Sequence, residues 1–178
     1  KINLLSMKNK IKQVVILSGG KGTRMREMTE SLPKPMVPIG GIPVLEHLMN
    51  IFNRFDNFEF IFSTGYKSEI IEEYFKNKKN IRIVNTGEET STGGRVFRLS
   101  EYLDEEFIVT YGDGLANVNI NKLISHHKKH GNLGTITVAN PISRFGLVEF
   151  DEEYMVNKFI EKPRLENINI NIGFFVFK

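Results

Sequence analysis

Short apolar runs alternate with amphipathic stretches along most of the chain. Residues 13–18 form a β-branched run that two glycines end, which predicts a buried strand followed by a tight turn. After Pro43, apolar residues recur at helical spacing over residues 44–55, which predicts an amphipathic helix with its apolar stripe on a sheet. The same alternation of strand-like and helix-like segments continues to about residue 130.

The remaining segments continue the alternation of strands and helices up to Gly131 and are mostly strand-like after it. Strands are predicted at 58–63, 81–86 and 107–111, and helices at about 68–75, around 94–103 and at 120–130, where Gly131 is placed to end the helix. After it come strand-like stretches at 134–139, 147–150, 156–160 and 173–177 with little helix between them. Strands that alternate with helices indicate parallel βαβ units, whereas the last third favours antiparallel pairing. We therefore expect an α/β fold with a mixed, mainly parallel central sheet.

Length and composition narrow the class of protein. The chain has 178 residues, which suits one domain, and we expect that domain to cover 7–178, with 1–6 an upstream extension or expression remnant. No apolar run reaches the roughly 18 residues that span a bilayer, so we expect a cytoplasmic protein with no membrane partner. The absence of cysteine excludes disulfides, a thiolate nucleophile and cysteine-ligated metal. A net charge of +3 is too small to indicate nucleic-acid binding.

A glycine-rich segment follows the first predicted strand. Gly19, Gly20 and Gly22 surround Lys21 and precede Thr23, at the sheet edge where open α/β folds bind ligands. The segment lacks the Ser or Thr that a Walker A loop requires after its lysine, and Met25 stands where a dinucleotide-binding fingerprint needs a small residue. Its glycines suit either an approach of backbone N–H groups to an anion or a tight strand-exit turn.

A lysine between two prolines favours the anion-binding interpretation of the glycine loop. Pro33 and Pro35 stiffen the backbone that presents Lys34, which suits an anionic ligand near the glycine loop. Leu17-Ser18-Gly-Gly-x-Gly-Thr-Arg24 followed by Pro33-Lys-Pro-Met36 resembles the signature of sugar-phosphate nucleotidyltransferases. Later segments, in order, resemble glucose-1-phosphate cytidylyltransferases: Asn85-Thr-Gly87, Thr92-Gly-Gly-Arg95, Thr110-Tyr-Gly-Asp-Gly114, Arg144-Phe-Gly146, Glu161-Lys-Pro163 and Asn171-x-Gly-Phe-Phe175.

The resemblance implies a Rossmann-like three-layer α/β/α fold of the glycosyltransferase-A type and a reaction. In that reaction a phosphate-bearing acceptor attacks the α-phosphate of CTP and pyrophosphate leaves, which would supply precursors of a surface polysaccharide. An acceptor phosphate with a second pKa near 6 is largely dianionic at neutral pH and needs no general base. Charge neutralisation and positioning are then the main tasks of the protein.

The resemblance also implies roles for particular residues. Arg24, Lys34 and Asp113 are the expected catalytic residues, with Asp113 holding Mg²⁺ and Arg95 reading the pyrimidine base with Thr90 nearby. As an alternative, Arg95 and Arg98 form a solvated helix edge. The expected nucleotide-binding residues are Leu17, Gly19, Gly20, Lys21, Gly22, Thr23, Arg24, Lys34, Thr90, Gly94, Arg95 and Gly112. The expected acceptor-binding residues are Arg144, Glu161, Lys162, Asn171 and Gly173.

Several alternatives stay open at this level. The acceptor is a sugar 1-phosphate or a related small phosphate, and a non-sugar phosphate such as phosphoglutamine fits the same pattern. Family members continue past the Gly-Phe-Phe strand and carry a second Mg²⁺-binding aspartate there, so a nucleotide-binding module without turnover is the third candidate. The resemblance also allows a homo-oligomer.

Three histidines near the end of the 120–130 helix admit two interpretations. His126 and His130 would share a helix face, as two metal ligands do. Their neighbours Lys128 and Lys129 favour a solvated, positively charged helix end instead. We expect the solvated face.

Overall fold

The computed structural model describes residues 11–22 and 31–178. Over these residues the chain divides into two compact units. The first unit runs up to Ile136 and includes Gly173–Lys178, and the second unit is Thr137–Ile172. The single domain expected for 7–178 stays a prediction.

The elements are named in chain order. The strands are β1 Gln13–Leu17, β2 Pro38–Ile39, β3 Ile42–Pro43, β4 Glu59–Thr64, β5 Ile81–Asn85, β6 Phe107–Tyr111, β7 Gly134–Thr135, β8 Val138–Ala139, β9 Leu147–Phe150, β10 Val156–Ile160, β11 Ile170–Asn171 and β12 Phe175–Phe177. The α-helices are α1 Val44–Asn53, α2 Ser68–Phe75, α3 Thr92–Phe97 and α4 Ile120–His130, and 3₁₀ turns cover Lys34–Met36 and Ser100–Tyr102.

A six-stranded sheet forms the centre of the first unit. Its order is β5-β4-β1-β6-β12-β7. The β1 strand pairs in parallel with β4 and β6, and β4 pairs in parallel with β5. The β12 strand runs antiparallel to both of its neighbours, β6 and β7. The mixed, mainly parallel sheet predicted from the sequence is confirmed.

Both faces of this sheet are covered. Val14 and Ile16 of β1 point into a large apolar cluster that includes the buried side of α1, whereas Val15 points into a second cluster with Leu99. Successive side chains of a strand face opposite sides, so a strand buried on both faces reads as a continuous apolar run. Phe52 of α1 packs against Phe58, Phe60 and Phe174, with ring centroids 5.7–6.2 Å apart. The three-layer arrangement rests on these two clusters.

The second unit consists of short antiparallel pairs. The β9 and β10 strands form a two-stranded sheet with an irregularity between Val156 and Lys158, and β8 pairs with β11. Glu149 and Lys158 form an ion pair of 3.2 Å across the β9–β10 pair. The antiparallel pairing expected for the last third of the chain is confirmed.

Two predicted elements are wrong in extent. The strand expected at 134–139 is two strands, because β7 pairs with β12 in the first unit and β8 pairs with β11 in the second. The helix expected around 94–103 begins at Thr92 and ends at Phe97. It begins early because the Ser91 side chain accepts a hydrogen bond from the Gly94 N–H and so caps the helix.

The histidines at the end of α4 are also different from the expectation. His127 is 1% exposed, and its Nδ1 lies 2.8 Å from the Thr135 hydroxyl. His130 accepts the Asn132 N–H at Nδ1, so its Nε2–H is the group that donates to the same hydroxyl, at 2.7 Å. Burial lowers the pKa of His127. The expected solvated face is therefore wrong for His127. Its contact with Thr135 connects the end of α4 to β7. The expected C-terminal stop is confirmed, since Gly131 has φ 65°.

Candidate active site

A cavity of about 570 Å³ opens in the first unit at the carboxyl ends of β1 and β6. Ligands of open α/β sheets bind at this edge, as the sequence led us to expect. The lining residues are Leu17, Ser18, Gly19, Gly20, Gly22, Lys34, Pro35, Glu88, Thr90, Ser91, Thr92, Arg95, Tyr111 and Asp113. Seven of the expected nucleotide-binding residues are among them, and Lys21, Gly94 and Gly112 adjoin lining residues in the chain.

The glycine loop is closely packed at its first residue. A Cβ at Gly19 would lie 1.9 Å from Nη1 of Arg95 and 2.8 Å from the Thr64 carbonyl oxygen. A Cβ at Gly20 would meet nothing within 4 Å. Gly19 is therefore required by packing against the cavity floor, whereas Gly20 leaves its backbone open to the cavity.

Lys34 and Asp113 come together in the cavity, although they are 79 residues apart. Lys34 begins the 3₁₀ turn after Pro33, whose φ is −66°, and Pro35 beside it is buried. Asp113 follows β6, and the Gly112 N–H donates to the Leu17 carbonyl at 2.9 Å, which holds that turn against the end of β1. The Lys34 ammonium donates directly to Oδ2 of Asp113. Two of the three predicted catalytic residues thus form one ion pair.

Arg95 is a buried arginine, 5% exposed, at the floor of the cavity. Its Nη1 donates to the Thr64 carbonyl and the Thr86 hydroxyl, at 3.0 and 2.9 Å. Its Nη2 donates to the carbonyls of Gly19 and Glu88, both at 3.0 Å. Burial, with the charge of Arg98, lowers the pKa of Arg95. The alternative of a solvated helix edge is wrong for Arg95, because its guanidinium lies inside and joins three segments.

The predicted partner of Arg95 also has a protein contact. The Thr90 hydroxyl donates to the Thr86 carbonyl at 2.6 Å. Both residues line the cavity, so the predicted base-reading pair is at least assembled in one place. Reading of a base by this pair stays a prediction.

The rim of the cavity carries two acidic residues, Glu88 and Glu89, that sequence reasoning did not single out. Lys21 of the glycine loop pairs with Glu89 and lies 3.7 Å from a carboxylate oxygen of Glu88. The hydrogen bond to Glu89 is the main cause that raises the pKa of Lys21, and it lowers the pKa of Glu89 in turn. Two consecutive acidic residues after Asn85-Thr-Gly87 were a visible signal, but their partner lies 68 residues away.

The expected acceptor residues are in different places. Arg144, Glu161, Lys162 and Asn171 belong to the second unit and are exposed there. Nζ of Lys162 lies 3.3 Å from Oε1 of Glu161. Lys162 has a φ of 43°, which is uncommon for a residue other than glycine. Gly173 belongs to the first unit, where a Cβ would lie 3.1 Å from the Thr110 hydroxyl. Arg24 and Thr23 lie outside the described residues.

A magnesium site would have to be built around Asp113. Among the described residues no group of three or more His, Asp or Glu side chains could hold a metal ion. Mg²⁺ is commonly bound by one or two carboxylates together with substrate phosphates and water. A single carboxylate in a cavity beside a glycine loop fits that donor set. Over the same residues no helix is long and apolar enough to cross a membrane.

Comparison with known proteins decides the family. The profile of the nucleotidyl transferase family matches residues 13–178. This chain belongs to that family. As a member it is a nucleotidyltransferase, and the resemblance stated from the sequence is confirmed.

Named relatives agree with this assignment. Glucose-1-phosphate cytidylyltransferase of Salmonella typhi is 40% identical, over 92% of this chain and 74% of that protein. The bifunctional protein GlmU of Methanocaldococcus jannaschii is 36% identical, over 92% of this chain and 39% of that protein. The crystal structure of HddC from Yersinia pseudotuberculosis complexed with GMP-PN has a TM-score of 0.72 and 28% identity, over 94% of this chain and 77% of that one. A UDP-glucose pyrophosphorylase complexed with UDP-glucose, 19% identical with a TM-score of 0.68, shares the fold.

Proposed function

We propose that this protein is a cytidylyltransferase that joins a sugar 1-phosphate to the α-phosphate of CTP and releases pyrophosphate. The observation that carries the proposal is the pairing of Lys34 with Asp113 in a cavity whose wall is a glycine loop. Identity of 40% to the glucose-1-phosphate cytidylyltransferase of Salmonella typhi, and of 41% to the "Probable glucose-1-phosphate cytidylyltransferase" of Bacillus subtilis, supports the choice of CTP and of a sugar 1-phosphate. The product would be an activated sugar donor for a surface polysaccharide.

The reaction needs little acid–base chemistry from the chain. An oxygen of the acceptor phosphate attacks the α-phosphorus, and the bond from that phosphorus to the oxygen bridging to the β-phosphorus breaks. The electron pair of that bond leaves with pyrophosphate. Because the attacking phosphate is already largely dianionic at neutral pH, no proton has to be removed first. The chain has to hold two anions together and offset their charge.

Two described groups meet that demand. The Lys34 ammonium would offset charge at the α-phosphate, and its place between two prolines limits how far its backbone can move. Asp113 would hold Mg²⁺, which when bound supplies positive charge to the phosphates. Arg24, which lies outside the described residues, is proposed for the β and γ phosphates.

Arg95 and Thr90 are proposed to distinguish the base. Four hydrogen bonds to protein oxygens engage Nη1 and Nη2 of Arg95, so donation to cytosine would use the Nε–H or an exchange of one of those four bonds. The acceptor groups proposed in the second unit are Arg144, Glu161, Lys162 and Asn171, with Gly173 from the first. Lys162 is the cation among them that a phosphate would contact.

The decisive experiment measures pyrophosphate release in the presence of Mg²⁺ for the four ribonucleoside triphosphates against a panel of acceptors. The panel includes several sugar 1-phosphates, a polyol phosphate and phosphoglutamine. We expect release with CTP and a sugar 1-phosphate. If pyrophosphate is released only with phosphoglutamine, the proposed sugar 1-phosphate acceptor is wrong. If it is released only with another triphosphate, the proposed nucleotide is wrong. Binding of CTP without any release of pyrophosphate would identify a nucleotide-binding module without turnover.

A further inference from the structure

Two layers of contacts connect the same two segments at the cavity. In the lower layer, the buried guanidinium of Arg95 donates to the carbonyls of Gly19 and Glu88. In the upper layer, the exposed Lys21 pairs with Glu89 and lies near Glu88. The lower layer holds the backbone of the glycine loop at a set separation from residues 86–91, the segment between β5 and α3. The upper layer consists only of side chains.

The side chains of the upper layer are free to change partners. The Glu89 side chain is 84% exposed and the Lys21 side chain 45% exposed. An exposed ion pair in water contributes little, because solvent screens it and both long side chains lose rotamer freedom. Its two members can therefore separate at small cost when a stronger partner arrives.

A polyphosphate in this cavity would be such a partner. Gly20 and Gly22, on either side of Lys21, line the cavity. A triphosphate presents several negative charges, whereas each rim carboxylate presents one. Glu88 and Glu89, the rim carboxylates, would also repel the same phosphates as long as Lys21 does not neutralise them.

We propose that Lys21 is shared between the rim carboxylates and the phosphates of the nucleotide, so that Glu89 acts as an internal competitor for the lysine. In the structure Lys21 is held by Glu89, and in the proposed complex it moves to the β and γ phosphates. Competition between Glu89 and the phosphates for Lys21 makes the affinity of the site depend on the charge of the ligand. This favours a nucleoside triphosphate over a monophosphate. This inference rests on the proposed function, since it concerns the same cavity.

Calorimetric titration of CTP and of CMP into the whole chain tests the proposal. Glu89→Gln removes the competitor and should tighten CTP about two- to fivefold, the range that exposed ion pairs produce. CMP, which lacks the β and γ phosphates, should change by less than half as much. Lys21→Gln should weaken CTP, and Glu89→Gln added to Lys21→Gln should then bring a clearly smaller gain, which comes from relief of repulsion alone.

Glu105→Gln is the matched control. Glu105 is also exposed and paired with a lysine, Lys178 at 3.7 Å, but it precedes β6 at the opposite end of the strand from Asp113. We expect no change in CTP affinity. All substituted side chains are exposed, and circular dichroism spectra check that each variant is folded.

The outcomes separate the two proposals. A gain from Glu89→Gln that persists unchanged in the Lys21→Gln background would mean that Glu89 only repels the phosphates, and competition for Lys21 would be wrong. No gain, or weaker binding, in Glu89→Gln alone would overturn it as well. If CTP binds the wild type and these variants alike, the proposed function survives without this competition. If no nucleoside triphosphate binds the folded wild type, both fail.

Discussion

The two units of this chain bury their side chains in opposite ways. In the first unit, charged and polar groups such as Arg95 and His127 are buried and meet protein partners, and both sheet faces are covered by apolar clusters. In the second unit, one face of the β9–β10 pair is apolar and exposed. Val156 pairs with Phe150 and Phe159 pairs with Val148, and paired residues lie on the same face of a sheet. These four side chains therefore share one face, where each is 44–64% exposed.

The difference shows which side chains have positions fixed by buried contacts and which do not. At the cavity, Gly19 and Arg95 are held by buried contacts with several segments, so a change there alters several contacts at once. On the β9–β10 pair the apolar side chains are exposed, so a change there removes fewer buried contacts. Substitutions of the same chemical kind should therefore have unequal effects in the two units.

The largest contrast is expected in apolar packing. Phe52→Ala removes a fully buried ring from its contacts with Phe58, Phe60 and Phe174. It should lower the free energy of unfolding by about 3–5 kcal/mol, as for other buried phenylalanines. Phe150→Ala, at a 56% exposed position, should cost less than about 1 kcal/mol. Urea unfolding followed by circular dichroism measures both, and equal losses would contradict the contrast.

The next contrast concerns two lysines that each pair with a carboxylate. Lys34→Gln removes the cation proposed to offset charge at the α-phosphate and should lower kcat about 10²- to 10³-fold, as loss of a preorganised donor does. Lys158→Gln, which breaks the Glu149 pair on β10, should leave kcat within about twofold. Pyrophosphate release at saturating CTP and acceptor is the readout. Near-normal turnover by Lys34→Gln would remove Lys34 from the mechanism.

A third contrast compares two closely packed glycines. Gly19→Ala drives a methyl group into the buried Arg95 guanidinium and the Thr64 carbonyl, and should cost about 1–3 kcal/mol of unfolding free energy. In Gly146→Ala the methyl group meets the outer end of the exposed Phe159 ring at 2.6 Å, which can turn away. Its cost should be smaller, and Gly20→Ala, with open space around it, is the control. Thermal unfolding of the three variants ranks them, and a Gly146 variant as unstable as Gly19→Ala would break the comparison.

The smallest effect is a dependence of stability on pH. All four histidines belong to the first unit, and burial lowers the pKa of His127 below its ordinary 6.5. As pH falls through about 6.5, His127 becomes protonated in the unfolded chain but stays neutral in the folded protein. The free energy of unfolding should therefore decrease as pH drops from 7 towards 5, by at most about 1.4 kcal/mol per pH unit. Glu106 opposes the shift, whereas His126, Lys128 and His130 add to it.

Unfolding free energies of the wild type and His127→Gln between pH 5 and 8 check this expectation. The variant should lose part of the slope between pH 5 and 7. A wild-type slope that His127→Gln leaves unchanged would assign the pH dependence to other groups.

The sequence was informative wherever local pattern decided the structure. Helix α2, helix α4 and strand β6 begin and end where the periodicity predicted, because each buries one face or both faces on neighbouring elements. The strand at 134–139 was mispredicted because its two halves take partners, β12 and β11, that lie far along the chain. Local residues contain no information on that choice of partner.

The same distinction applies to the site. Gly19, Lys34 and Asp113 were found because motifs of several residues mark them, and the structure brings them to one cavity. The Lys21–Glu89 pair and the burial of Arg95 were missed, since both depend on contacts between distant segments. His127 was misjudged because its lysine neighbours suggested solvent, while its buried partner Thr135 belongs to another element.

The position of β12 has a consequence for the order in which the protein forms. In chain order β12 follows every other described strand, yet it lies between β6 and β7. During synthesis β1, β4, β5 and β6 leave the ribosome first, and the edge of β6 then waits for the whole second unit to be translated before β12 covers it. An unpaired strand edge attracts other chains. A nascent chain stalled within Thr137–Ile172 would therefore be the form of this protein that depends most on chaperones.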